Sequence, residues 1–371
     1  MSARVFIWVQ HLLGFGHFAR AGAVSEALRD AGFAVTLASG GVTPAEAIPS
    51  GIAFVQLPAA RAKDELFEEL VDADGRDVDQ AWLERRRDVL LDAMRAAKSD
   101  AVITETFPFG RRLLKFELQT LLSEVAQMSP RPKLIASVRD VLQRPRKAGR
   151  AEASVATARA HYDAIMVHGD PNIIRLEESF AELAALTDRF VYAGYICVEM
   201  PKPSGARREV LVSAGGGVTG RALMRAALHA RAFSRLKDRP WTLVAGPLTE
   251  DLPGETQGVT VVRSLPDFRA RLAGAAVSIS QAGYNTMIEA VKARTPSVVV
   301  PYETEREKEQ AMRAGRFAER GLVKVLHADA LDPQVLARAI DEIEGTAPPL
   351  VDIDFNGREG AVLAVRRILG R

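Results

Sequence analysis

Short runs of β-branched and other apolar residues alternate with longer stretches whose apolar positions recur at helical spacing, almost from one end of the chain to the other. Strands are predicted at Val5–Val9, Ala34–Ala38, Ala53–Leu57, Ala101–Thr104, Leu134–Val138, Ala164–His168 and Phe190–Ala193. Helices are predicted between them at Phe18–Ala31, Asp77–Ala97, Gly110–Gln127 and Gly149–His161. In the third of these, Leu114, Leu118, Leu121, Leu122 and Val125 fall on one face. Around Glu199 to Gly205 the alternation breaks, with Pro201 and Pro203 in a stretch that reads as an interdomain linker. It then resumes with strands at Glu209–Ser213, Trp241–Ala245, Val259–Arg263, Ala276–Ser280, Ser297–Val300 and Val323–Leu326. Parallel neighbours need a crossover, and a helix supplies it while covering the sheet face. The pattern therefore predicts an α/β protein of two successive doubly wound domains, 1–198 and 199–371, with the last helix a candidate to pack back on the N-terminal domain. The length, 371 residues, suits two domains at ~150 residues each.

Composition narrows the function classes. Hydrophobic residues make up 47% and charged residues 26%, which is globular rather than disordered. Lys plus Arg (49) nearly balances Asp plus Glu (47), and a net charge of +2 excludes bulk nucleic-acid binding as the leading reading. The one cysteine, Cys197, excludes an internal disulfide and a thiolate zinc site. No run reaches the ~18 apolar residues of a membrane span, and Val5–Val9 is too short for a signal-peptide core. A cytoplasmic protein is expected, one able to work at a membrane surface.

In doubly wound sheets ligands bind beyond the carboxyl ends of the strands, so those loops are where chemistry is sought. After the first strand, Gly14 and Gly16 let the backbone pass close to a ligand and place His17 at a helix start. His17 is there either a general base or a helix-capping histidine. After the strand ending at Ser213, Gly215, Gly217 and Gly220 satisfy G-x-G-x-x-G. However, Gly246-Pro247 stands where a dinucleotide site wants an acid, and Arg221 and Ala222 replace the Lys and Ser/Thr of a Walker loop. What remains is a metal-free phosphate cradle or a plain tight turn. After Ser280, Gly283 opens a helix whose first amides offer a second cradle. Glu289, six residues on, is either an acceptor for ribose hydroxyls or an acid favoured by the helix dipole. Beyond Pro301, Glu307, Glu309 and Arg313 read as solvated helix face, while Gln310 suits sugar hydroxyls.

Ser280 to Glu289, then Thr295-Pro296, Pro301 and Glu309-Gln310, resembles the donor site of GT-B glycosyltransferases and is most similar to the MurG family, which moves N-acetylglucosamine from UDP-N-acetylglucosamine to a lipid-linked acceptor. Gly14 to His17 and the glycine loop after Ser213 resemble the loops opening that fold's two domains. The resemblance implies two Rossmann-like domains facing across a cleft. It also implies Glu289 on the ribose, Gly283, Tyr284, Asn285, Thr286 and Gly215, Gly216, Gly217 on the diphosphate, Gln310 on the sugar and Leu265 at the base. Gln281 and Arg313 depart from the family's pattern. The implied reaction is an inverting transfer without metal or other cofactor, from a UDP-sugar donor to an unidentified acceptor. His17 would be the base, and Glu105 would orient it or touch the acceptor.

Gly14, Gly16, Phe107, Phe109 and Arg111 are the expected acceptor contacts, the last three in a loop with no counterpart identified in MurG. The first loop also resembles that of the UDP-sugar hydrolase of pseudaminic acid synthesis. Hydrolysis, epimerisation and non-catalytic nucleotide-sugar sensing therefore stay open. Asp72/Asp74, Asp77/Asp79 and Asp352/Asp354 read as surface acids rather than metal ligands. Arg139, Arg144, Arg146, Lys147 and Arg150 form either a solvated loop or a face toward an anionic acceptor or inner-membrane surface.

Overall fold

In the computed structural model, residues 2–12, 14–63, 69–145, 147–203, 205–214, 220–246, 258–304 and 307–371 are described. They fall into two units, residues up to Ile196 together with Asn356–Arg371, and Cys197–Phe355. The first unit runs β1 (Arg4–Val9), α1 (Gly16–Asp30), β2 (Ala34–Ser39), β3 (Ala53–Gln56), β4 (Ala60–Ala62), β5 (Leu70–Asp72), α2 (Gln80–Ala97), β6 (Ala101–Glu105), α3 (Lys115–Gln127), β7 (Lys133–Arg139), α4 (Arg150–His161), β8 (Ala164–His168) and β9 (Phe190–Tyr192). Its main sheet is parallel, ordered β3-β2-β1-β6-β7-β8-β9.

The second unit runs β10 (Glu209–Ser213), α5 (Arg221–Ala230), β11 (Trp241–Val244), β12 (Val259–Val262), α6 (Phe268–Gly274), β13 (Ala275–Ser280), α7 (Tyr284–Lys292), β14 (Ser297–Val299), α8 (Glu309–Ala318), β15 (Lys324–Val325) and α9 (Pro333–Ile343). Its sheet is parallel, ordered β12-β11-β10-β13-β14-β15. The closing helix, α10 (Gly357–Leu369), belongs to the first unit.

The period of two along β1 builds that unit's two layers. Phe6 and Trp8 join a core with Leu90, Leu118 and Leu121 of α2 and α3, while Val5, Ile7 and Val9 join another with Phe18, Val24 and Leu28 of α1. Helix α10 completes the second layer with Ala361, Val362, Ala364 and Val365. A Cβ at Gly360 would stand 2.0 Å from the Ala193 carbonyl oxygen, so only glycine lets α10 approach this closely.

One polar network is fully buried under the carboxyl end of β1. Arg86 of α2 donates through Nε to Glu117 Oε2 (2.6 Å), through Nη2 to Gln10 Oε1 (2.8 Å) and through Nη1 to the Gly40 and Pro58 carbonyls. Trp8 Nε1 donates to the other Glu117 oxygen. This network ties together the loops that follow β1, β2 and β3.

The antiparallel pair β4–β5 departs from the expected all-parallel pattern. Its strands have three residues each, too short to carry a period. Asp72 accepts the Asp74 and Arg76 amides in the turn, and Asp79 caps α2 by accepting the Trp82 amide, so these acids do structural work. Among the described residues no helix is long and apolar enough to cross a membrane.

Candidate active site

In the first sheet the chain proceeds outward from β1 to β2 and β3, then returns to pair β6 on the other side of β1. The carboxyl ends of β1 and β6 therefore flank the switch point, where a doubly wound sheet opens a crevice. His17 stands in the first turn of α1, after β1, and Glu105 is the last residue of β6. Their side chains meet, His17 Nδ1 lying 2.9 Å from Glu105 Oε2.

Glu105 is buried and held from several directions. Arg20, one turn after His17 on α1, donates to Oε1, and Thr106 Oγ1 donates to Oε2 at 2.7 Å. Burial pushes the Glu105 carboxyl up, but the neighbouring His17 and Arg20, the His17 hydrogen bond and Arg111 together hold it well below the usual carboxylate range. An ionised carboxylate only accepts, so the His17 proton sits on Nδ1 and points at Glu105. Nε2 is left as the basic nitrogen of a side chain that stays 19% exposed. Burial, and then the Arg111 guanidinium, lower the imidazole to about 3, against the raising effect of Glu105. At neutral pH the ring is an uncharged base, oriented from behind.

The loop after β6 is bent sharply. Thr106 (φ 67°) and Arg111 (φ 60°) both adopt the left-handed region, which is uncommon for any side chain and rarer still for a β-branched one. The turn carries Arg111 back beside Glu105, Nη2 to Oε2 at 4.0 Å. Phe107 and Phe109 do not line a binding surface as expected. They are 4% and 6% exposed and pack into the core with Leu114 and Leu118, because the turn folds their rings inward. Gly14 is exposed, with nothing within 4 Å of a Cβ built on it, and Gly16 is the first residue of α1. The basic stretch from Arg139 does not act as one patch. The Arg139 charge is felt by His17 and Arg111, Arg144 pairs with Glu182, Lys147 is exposed, and Arg146 lies outside the described residues.

The second unit repeats the topology. Its switch point lies between β10 and β13, whose last residues, Ser213 and Ser280, are register partners. Both hydroxyls are buried, and among the described residues neither has a hydrogen-bond partner. Gly283 is the N-cap of α7 and offers no capping side chain to the first amides, those of Tyr284, Asn285 and Thr286. Among the described residues nothing lies within 4 Å of a Cβ built on Gly283. Glu289 Oε1 accepts a 2.8 Å bond from Arg269 of α6. Gln310, on α8, accepts the Tyr302 amide at 3.0 Å, and Leu265 is half-buried after β12. Gly215, Gly216 and Gly217 lie outside the described residues.

The expectation that Glu309 and Arg313 are solvated is corrected. Arg313 is fully buried, donates to Glu309 Oε1 at 2.9 Å and to the Ala282 carbonyl at 3.3 Å, and lies over the Tyr284 ring. Charges are rarely buried unless paired, and this pair braces the loop that leads into α7. Sequence reasoning did not single out Arg20, Thr106, Ser213, Ser280 or Arg269. The only available signal was position, as with Arg20, three residues after His17 on the same helix face. Among the described residues no group of three or more His, Cys, Asp or Glu is placed to hold a metal ion.

Residues 214–349 match the glycosyltransferase family 28 C-terminal domain. An uncharacterised glycosyltransferase of Methanopyrus kandleri is 28% identical over 177 residues, 45% of this chain and 50% of that protein. The UDP-N-acetylglucosamine–N-acetylmuramyl-(pentapeptide) pyrophosphoryl-undecaprenol N-acetylglucosamine transferase of Natranaerobius thermophilus is 34% identical over 95 residues, 26% of each chain. These alignments thus span half and about a quarter of the curated relatives' length. Among solved structures, the calicheamicin glycosyltransferase CalG4 aligns over 100% of this chain and 99% of its own, with TM-score 0.64 and 17% identity. Acinetobacter baumannii MurG aligns over 99% of each, with TM-score 0.58 and 15% identity. The chain has the GT-B fold of glycosyltransferases, and its second unit carries a glycosyltransferase family 28 C-terminal domain.

Proposed function

We propose that this protein is a hexosyltransferase that moves a sugar from a UDP-sugar, of the UDP-N-acetylglucosamine kind, to a hydroxyl of an acceptor, with inversion and without a metal. The first unit holds the acceptor and the second the donor. The observation that carries the reading is the His17–Glu105 pair at the β1–β6 switch point.

In this reaction His17 Nε2 takes the proton of the acceptor hydroxyl as its oxygen attacks the anomeric carbon. The bond from that carbon to the diphosphate breaks on the opposite face, and its electron pair leaves with the diphosphate. Glu105 stabilises the imidazolium that forms, without itself taking the proton. The charge on the leaving diphosphate is met by the amides at the start of α7 and by the Ser213 and Ser280 hydroxyls. Glu289 takes the ribose hydroxyls through the oxygen not engaged by Arg269. Gln310 takes the sugar.

The acceptor is reached at the cytoplasmic face of a membrane in this account, with the exposed Lys147 toward anionic lipid. Co-sedimentation at low salt with anionic vesicles, and not with neutral ones, tests that part alone. The transfer itself is tested by UDP release from UDP-N-acetylglucosamine. Release is slow alone and rises at least tenfold with an acceptor fraction. Rapid release without any acceptor, at about 1–1000 per second, assigns hydrolysis instead.

A further inference from the structure

Arg111 is held in the left-handed region by the turn after β6, yet the bonds that would reward this placement are missing. Its Nε and Nη2 are buried, with no hydrogen-bond partner among the described residues. Buried donors are nearly always paired, so the exception asks for an explanation. Glu105, at 4.0 Å from Nη2, is too far to supply a hydrogen bond, and its two oxygens are already taken by Arg20, His17 and Thr106.

Arg111 feels the charge of Glu105 and those of the guanidiniums of Arg139 and Arg20. Nε and Nη2 carry the two parallel N–H bonds of one guanidinium edge, which match two oxygens of a carboxylate or a phosphate.

We infer that Arg111 receives an anionic group of the acceptor, a phosphate or a carboxylate carried close to the hydroxyl that His17 deprotonates. The inference rests on the transferase reading above and narrows its unidentified acceptor to a class. An anion on Arg111 also places the reacting hydroxyl, because a bidentate contact fixes orientation as well as position.

The test is calorimetry at low ionic strength with phenyl phosphate, benzoate and the uncharged benzamide, with UDP as the control ligand. The wild type is expected to bind at least one of the two anions and not benzamide, and which anion it prefers separates phosphate from carboxylate. Arg111→Met is expected to lose at least tenfold in affinity for that anion while UDP affinity is unchanged. Should Arg111→Met fail to fold, Arg111→Lys keeps the charge without the paired N–H edge and is expected to weaken the anion at least threefold. Anion affinity equal to wild type in the folded variants, or a wild type that does not distinguish the anions from benzamide, overturns the inference while UDP binding leaves the donor reading intact. A wild type that binds no UDP overturns the transferase reading, and the inference with it.

Discussion

His17 Nδ1 and Glu105 Oε2 lie 2.9 Å apart, although 88 residues separate them in the chain. The pairing of β1 with β6 brings them together, and Arg20 and Thr106 hold the carboxylate from its other sides. Glu105→Gln keeps the shape and removes the charge, so the ring loses its fixed tautomer. Turnover is expected to fall at least a hundredfold while UDP affinity stays within twofold, measured by UDP release and calorimetry. A Glu105→Gln enzyme with a tenth or more of wild-type turnover means Glu105 does not act through His17.

Below its ordinary titration range the imidazole still stays neutral. With the ring lowered to about 3, the rate is expected to hold steady as pH falls from 8 to about 5. Arg111→Met removes one of the two main causes of the lowering, so the acid limb of its pH–rate profile moves up toward 6.5. A wild-type limb already centred near 6.5, unmoved in the variant, contradicts the electrostatics described.

Stability carries the same signature at His168, buried with its Nε2 2.8 Å from Ser137 Oγ and lowered to about 3 by burial and by Arg20. As pH falls below 6.5 the unfolded chain takes up a proton that the native state refuses until about 3, so this histidine subtracts stability progressively across that window. Urea unfolding at pH 7.5 and pH 5 is expected to give a smaller acid loss for His168→Gln than for the wild type. An equal loss contradicts the assignment.

How much of this was legible in the sequence depended on burial. β1 reads as a strand because parallel sheets are covered on both faces, so Val5–Val9 is apolar without interruption. The three-residue strands β4 and β5 leave no such trace. The apolar stripe of α10 marks a buried face without naming the surface that covers it, and only the fold shows Gly360 meeting Ala193, 167 residues earlier in the chain. Charged side chains mislead most. Arg313 reads as solvent-facing by residue type, and only the fold reveals Glu309 and Tyr284 around it. His17 and Glu289 drew attention because their helices follow strand ends, where the topology puts ligands.

Arg86 tests the buried network. Arg86→Ala leaves the Glu117 carboxylate buried without its ion pair, and a loss of about 3–5 kcal/mol is expected in urea unfolding. A loss below about 1 kcal/mol, the value of an exposed pair, means the network is not closed as described.

On the donor side, Glu289→Ala removes the proposed ribose acceptor from a helix whose core face, Met287, Ile288 and Val291, is untouched. UDP affinity is expected to fall at least tenfold with the melting temperature nearly unchanged. Equal UDP affinity sinks the ribose assignment.

The central claim is that His17 is the base of a transfer and not part of nucleotide binding. The most direct measurement compares wild type and His17→Ala for acceptor-stimulated UDP release and for UDP affinity on the same preparations. The account predicts at least a thousandfold loss of stimulated release with UDP affinity within twofold of wild type. Stimulated release above a tenth of wild type, or UDP affinity falling in step with turnover, would contradict it.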